Sequence, residues 1–260
     1  MSPPNPSQPS NNPPPLLLAL SGPTSSGKTT IATALAAILP NHLAIHADDF
    51  YKPDSEIPTK DGVQDWDCAG SLDLEKFRHV LVKVKEGREE GLEGLVHQGN
   101  FEGGVVMDGV HGVKGIEDGV VGRLRGEVGR WPEDRRARKI IIVDGFLLFG
   151  RSVREQLAEL FDVRVLLRAK YEDAKRRREG RNGYVTLEGF WEDPPGYFDK
   201  IVWPNYVKEH EFVFEELEDG SGLTKEGVCI SGDEWSLEKS LEWVVGALKK
   251  ELASAEGEGK

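Results

Sequence analysis

Residues Gly22 to Thr29 read GPTSSGKT, a full match to G-x-x-x-x-G-K-[ST], and this octet constrains the chain more than any other stretch. Its flanks supply the setting such a loop needs. Leu16 to Leu20 form a short apolar run leading directly into glycine, and Ile31, Leu35, Ile38 and Leu39 recur at helical spacing until Pro40. Strand, glycine-bearing turn and helix in that order gather backbone N–H groups at a helix N-terminus, where anions are favoured. Lys28 can then reach the β/γ oxygens of a triphosphate, and Thr29 can offer its hydroxyl to Mg2+. The candidate ATP-binding residues are Gly22, Thr24, Ser25, Ser26, Gly27, Lys28, Thr29 and Thr30, with ATP and Mg2+ as the implied cofactors.

The rest of the chain repeats the strand and helix alternation. A second short strand, Leu43 to Ala47, ends in Asp48 and Asp49, and Phe77, Leu81 and Val84 mark an amphipathic helix stopping near Gly87. Residues 87–136 break the pattern, holding 13 of the chain's 30 glycines with no sustained period, and read as a mobile glycine-rich insertion. Order resumes at Lys139 to Asp144, whose four aliphatic residues suit a strand covered on both faces. Ser152 and Glu155 have the spacing of a capping box for a helix carrying Val153, Leu157 and Leu160. A strand over Val163 to Leu167 leads into a basic helix from Tyr171 that should end at Gly180. Beyond FWEDPPGYF come a helix containing Pro204, the run EFVFEEL, a short strand near Val228 to Ile230, and a final helix striped by Leu237, Leu241, Val244, Val245 and Leu248.

This order predicts an α/β fold of the P-loop NTPase type, a parallel sheet with helices on both faces, a lid helix and a glycine-rich insertion. One domain is expected over 16–250, with a lid at about 171–196, a disordered tail over 1–15 and a C-terminal tail over 251–260. A net charge of −12 argues against a phosphate-tracking nucleic-acid surface and leaves small molecules as the expected partners. Cys68 and Cys229 stand far apart and outside metal-ligand spacing, which points to a reducing compartment, the cytoplasm or alternatively the nucleus. No apolar run reaches membrane-spanning length, and residues 1–15 lack the pattern of a secretory signal. A monomer is the working expectation.

Three groups of residues could carry chemistry around that loop. Asp144 closes the strand KIIIVD and is the natural second partner of Mg2+ beside Thr29. Asp48 and Asp49 end another strand, where a carboxylate can face the terminal phosphate and orient an attacking hydroxyl; the residues themselves do not choose between the two acids. Lys175, Arg176, Arg177, Arg178 and Arg181 form a basic helical cluster, in which Arg177 and Arg181 share one face while Arg178 points with Lys175. As a lid, it would bring Arg177 and Arg181 onto the transferring group; the alternative is a solvated basic face.

With the phosphate loop, DDFYKP, VQDWD, IIVDGFLLF, YEDAKRRR and PGYFDKIVWPNYVKE in order, the chain resembles the nicotinamide riboside kinases within the uridine-kinase-like group. The resemblance spans roughly residues 16–86 and 139–250. It implies phosphorylation of the 5′-hydroxyl of nicotinamide riboside, with the acid analogue as a further acceptor, in NAD salvage. It also implies that Asp48 is the catalytic base, that Asp67 and Arg178 hold the ribose hydroxyls, and that Thr29 and Asp144 serve Mg2+. Tyr51 joins the acceptor side, and Trp66 and Tyr184 match the two aromatics that sandwich the nicotinamide ring. A pyridinium cation is attracted to an aromatic face by roughly 0.5–2 kcal/mol. The chain departs from the family in carrying Asp144 for Glu, Trp66 for Tyr and Gly183 as an added residue before Tyr184. A uridine or cytidine kinase of the same fold and a non-catalytic ATP-binding switch are the competing readings.

Overall fold

The computed structural model of the chain describes residues 13–88, 113–215, 224 and 227–254. β1 (Leu16–Ser21) is followed by α1 (Lys28–Ile38) and β2 (His42–His46), then by a small antiparallel pair, β3 (Thr59–Lys60) and β4 (Val63–Gln64), and by α2 (Leu74–Lys85). After α3 (Asp118–Val128) and α4 (Glu133–Ala137), the chain enters β5 (Ile140–Gly145), the short α5 (Arg154–Leu157), β6 (Val163–Leu166) and α6 (Tyr171–Glu179). A two-stranded hairpin, β7 (Tyr184–Val185) and β8 (Phe190–Trp191), precedes α7 (Trp203–Glu215), β9 (Val228–Ile230) and α8 (Leu237–Ser254).

Five strands form one sheet in the order β2-β5-β1-β6-β9, with every pairing parallel. The aliphatic run of β1 is buried on both sides, and the period of two divides it. Leu16, Leu18 and Leu20 join Ile140 and Ile142 against Ile31 and Leu35 of α1 and Leu241, Val244 and Leu248 of α8. Leu17 and Ala19 turn the other way, with Ile141 and Val143, onto Phe77, Val80 and Leu81 of α2. Parallel strands sheathed on both faces follow from uninterrupted aliphatic strands between amphipathic helices. Their carboxyl ends, at Ser21, His46, Gly145 and Leu166, lie along one edge of the sheet.

Three expectations are corrected by this structure. The span 87–136 is not loop throughout: residues 118–128 form α3, and Ile116, Val121, Leu124, Val128 and Trp131 pack into the core beside α1 and α8. Residues 89–112 of that span lie outside the described residues, as do residues 1–12 of the expected N-terminal tail. Ser152 does not form a capping box with Glu155. Its N–H and hydroxyl both donate to the Glu209 carboxylate, at 2.8 and 2.6 Å, because α7 packs beside the start of α5 and brings a closer acceptor. The C-terminal tail begins later than residue 251, since α8 continues to Ser254 with Leu252 buried in the core. Among the described residues, no helix is long and apolar enough to cross a membrane.

Candidate active site

The octet GPTSSGKT joins the end of β1 to the start of α1, and two of its glycines are dictated by backbone shape and space. Gly22 has φ +149, and a Cβ there would stand 2.4 Å from the carbonyl oxygen of Leu167. Gly27, the residue capping α1, sits at φ +97, and its Cβ would meet Leu237 of α8 at 2.4 Å. Ser25 adopts φ 59 without being glycine, a local strain of the kind that collects at ligand-binding turns. The Ser25 and Ser26 hydroxyls are buried without a partner among the described residues, and the first-turn N–H groups of a helix have no intrahelical acceptor. A turn with donors left over is what a phosphate group requires, so these residues fit one. Thr24 and Thr30 are half-buried on either side of the loop.

Lys28 folds back over the turn, donating from Nζ to the carbonyls of Gly22 and Pro23 at 3.0 and 2.8 Å. Burial pushes its pKa down to about 8 against the opposing pull of Asp144 and Asp48. Beside it, Thr29 Oγ1 donates to Asp144 Oδ2 at 2.9 Å, so the two sequence-derived Mg2+ candidates are in direct contact. The other oxygen of Asp144 accepts from Nδ1 of His46, its partner in the parallel register of β2 and β5. A hydroxyl and a buried carboxylate at the foot of a phosphate turn are hard oxygen donors suited to Mg2+. His46 was not marked by any motif; its position at the end of β2 opposite Asp144 becomes visible only with the register. Burial pulls the His46 pKa down, but the hydrogen bond and charge of Asp144 outweigh that and raise it.

Asp48 and Asp49 lie in the short 3-10 turn Ala47–Phe50 that follows β2. Asp48 opens onto the cleft, and the charges around it are those of Asp144, Lys28, His46 and Arg181. Partial desolvation there, with Asp144 adding to it, raises its pKa above the usual carboxylate range. Asp49 answers instead to His46, Asp48 and Asp144, and burial pushes it up to about 6. Of the two acids, Asp48 is the one on which the charges of Lys28 and Arg181 act.

On α6, the 100° step between successive residues sends neighbouring arginines to different places. Arg177 Nη1 donates to the Ser25 carbonyl at 3.2 Å, so it meets the phosphate turn, and Arg181 is near enough for its charge to act on Lys28 and Asp48. Arg181 also lies over the Tyr184 ring at 5.6 Å. Arg178 is buried on another side of the helix. Its guanidinium forks onto Asp67 at 2.7 and 2.9 Å and onto Asp193 at 2.6 and 3.1 Å. Burial pushes the Asp67 carboxyl up, against the charge of Arg178, and the two-pronged geometry holds the pair as ions. Lys175 turns outward to Asp199.

The segment carrying Asp67 is pinned on several sides. The Trp66 N–H donates to the Tyr197 hydroxyl at 2.9 Å, and Asn205 Nδ2 reaches both oxygens of Asp65 and the carbonyl of Asp67. Trp66 is 7% exposed, with its ring 5.5 Å from Tyr51 and 5.9 Å from Trp191, and its indole N–H has no partner among the described residues. Tyr184 instead covers the Arg178 guanidinium at 5.3 Å and is not in ring contact with Trp66. The structure thus gathers Tyr51, Trp66, Asp67, Arg178 and Tyr184 in one contact cluster and adds Trp191, Asp193 and Tyr197. All three lie in the segment FWEDPPGYF, where composition flags aromatics and acids but no spacing rule says which turn inward.

The fold and site together define an α/β protein of the phosphate-loop type, with a carboxylate cluster and an aromatic pocket along one sheet edge. No family model matches the chain. The chain is 31% identical over 250 residues to the nicotinamide riboside kinase of Schizosaccharomyces pombe, covering 91% of this chain and 97% of that protein. It is 35% identical over 236 residues to the nicotinamide riboside kinase of Saccharomyces cerevisiae, covering 88% and 93%. Against human nicotinamide riboside kinase 1 the identity is 30% over 217 residues, covering 83% of each. The chain belongs to the nicotinamide riboside kinase family.

Proposed function

We propose that this protein transfers the γ-phosphoryl group of ATP to the 5′-hydroxyl of nicotinamide riboside, giving the mononucleotide in NAD salvage, and accepts the acid analogue as well. The observation that carries the proposal is the pair of contacts made by one helix: on α6, Arg177 Nη1 donates to the Ser25 carbonyl of the phosphate turn at 3.2 Å, and Arg178 forks onto Asp67 at 2.7 and 2.9 Å. These contacts support a reading in which one helix links the phosphate turn to the acceptor side.

Residue roles follow from that geometry. Gly22, Thr24, Ser25, Ser26, Gly27, Lys28, Thr29 and Thr30 hold the triphosphate through backbone N–H groups, hydroxyls and one ammonium. Thr29 and Asp144 would hold Mg2+, which when bound neutralises charge on the phosphate oxygens. Asp48 orients the acceptor hydroxyl and takes its proton. A loose phosphoryl transition state asks more of position than of basicity, so a carboxylate suffices. Lys28, Arg177 and Arg181 stabilise the charge on the transferring group and, with the lid over it, keep water out. Asp67 and Arg178 hold the ribose hydroxyls.

The nicotinamide ring packs on Trp66, with Tyr51 and Tyr184 beside it. Its pyridinium charge is favoured by the aromatic faces and by Asp67 and Asp193, two carboxylates that share one Arg178. A neutral pyrimidine nucleoside gains only stacking there. A cytoplasmic, monomeric enzyme acting on small molecules belongs to the same proposal, and the two free cysteines support a reducing setting.

A panel of nicotinamide riboside, nicotinic acid riboside, uridine and cytidine, incubated with ATP and Mg2+ and scored for monophosphate, tests the assignment. Nicotinamide riboside should be turned over with the highest kcat/KM. Efficient turnover of uridine or cytidine with nicotinamide riboside ignored would overturn it.

A further inference from the structure

The β7–β8 hairpin delivers two aromatics to the acceptor pocket, one from each strand. Tyr184 and Trp191 stand opposite each other in the antiparallel register; Tyr184 covers Arg178, and Trp191 lies against Trp66 while its indole N–H donates to Asp193 at 2.9 Å. Gly183, at φ +97, lets the chain enter the hairpin under Phe190, where a Cβ would stand 2.4 Å from the ring. The tip beyond these residues has little apolar burial to hold it. Val185 is 65% exposed, Leu187 58% and Phe190 60%. Burial therefore does not fix the tip of the hairpin, although Trp191 packs against Trp66 and Tyr197 at its base.

Polar contacts do so instead, and they converge on one residue of the facing loop. Thr186 Oγ1 donates to Asp54 Oδ2 at 2.6 Å, and the Glu188 N–H donates to Asp54 Oδ1 at 3.3 Å, so both carboxylate oxygens are used. The Glu188 side chain returns the contact, accepting from the Ser55 N–H at 3.1 Å. Thr186 Oγ1 also accepts from the Gly189 N–H, which sets the hydroxyl proton toward Asp54. Asp54 is itself anchored, since its carbonyl accepts from Gln64 Nε2 at 2.6 Å, on the strand leading to Trp66 and Asp67.

We infer that Asp54 is a positioning residue for acceptor binding, fastening the β7–β8 hairpin to the loop that carries Trp66 and Asp67. It touches neither substrate. Its carboxylate fixes the distance between the two walls of the pocket, and with it the fit of the acceptor ring and ribose. This rests on the pocket being the acceptor's, as proposed above.

Steady-state kinetics of Asp54→Ala, Thr186→Val and the double variant test it. Loss of charge-assisted hydrogen bonds should raise the nicotinamide riboside KM about tenfold in Asp54→Ala, with kcat held within about threefold and the ATP KM unchanged. Thr186→Val should raise the acceptor KM by a smaller factor, and the double variant should be no worse than Asp54→Ala, because the Thr186–Asp54 bond is already lost in Asp54→Ala. Backbone amide exchange over residues 184–191, which does not depend on turnover, should quicken by about tenfold in Asp54→Ala. An unchanged acceptor KM, an equal rise in both KM values, full additivity or unaltered exchange would each overturn the inference. If Asp54→Ala does not fold, Thr186→Val alone decides by the same measures. Should the wild type favour another nucleoside, the functional reading fails, and the fastening is judged with that nucleoside and by the exchange rates.

Discussion

Asp48 and Asp49 are adjacent in sequence, sit in one four-residue turn and share the influence of His46 and Asp144, yet the charges of Lys28 and Arg181 act only on the first. A pair of acids at a strand end reads from sequence as two equal candidates; the turn geometry separates them. Asp49 also carries a testable energetic signature. Burial raises its folded-state pKa to about 6 from 3.8, so the folded protein keeps a proton that the unfolded chain releases in that interval. Its contribution to stability is fully present below the unfolded value and is lost as pH rises through 6. The Asp49→Asn variant never ionises at this position. Its melting temperature relative to wild type should move up by about 2 °C between pH 4.5 and 7.5, solvent screening of a half-buried group keeping the effect small. Scanning fluorimetry at the two pH values checks this, and a shift of the opposite sign would show that Asp49 is held as a carboxylate.

At the scale of elements, α3 is where composition and packing disagree most. Gly119, Gly122, Gly126 and Gly129 lie in or at the end of it, each interior glycine costing a helix about 1 kcal/mol relative to alanine. Counted as glycine content, the stretch looks like loop. Val121, Leu124 and Val128 nevertheless recur at helical spacing, and all three are buried against the core. Tertiary burial is therefore what holds α3, and two substitutions should separate the terms. Leu124→Ala should destabilise the protein by about 2–4 kcal/mol, while Gly122→Ala, where an added Cβ meets nothing within 4 Å, should stabilise it by about 0.5–1 kcal/mol. Urea denaturation measures both; a Leu124→Ala cost below about 0.5 kcal/mol would mean that α3 is not docked as described. By contrast, β1 and β5 were legible because their aliphatic runs are too uniform for an exposed element. The capping box at Ser152 was misread because the acceptor it uses, Glu209, is 57 residues away and is brought near only by packing.

For the molecule as a whole, the part of the site that lies on contiguous residues was readable and the part assembled across the chain was not. GPTSSGKT announces its own function because strand, turn and helix N-terminus are consecutive. Thr29 and Asp144 are 115 residues apart, and Asp67 and Arg178 are 111 apart; strand-end position and family resemblance give each pair a common expected ligand, but not the direct contact the fold makes. Nothing local marks Asp54, Asp193 or Trp191, whose roles depend on how the hairpin lies across a distant loop. The net charge of −12 is likewise a property of the whole surface and coexists with a cleft where Lys28, Arg177 and Arg181 converge. The proposed function requires Asp48 to stand between donor and acceptor. It is tested most directly by measuring Asp48→Ala in two ways, ATP-analogue affinity by calorimetry and turnover of nicotinamide riboside. The account predicts affinity within about threefold of wild type and turnover lower by about 100-fold or more. Wild-type turnover in Asp48→Ala would contradict it.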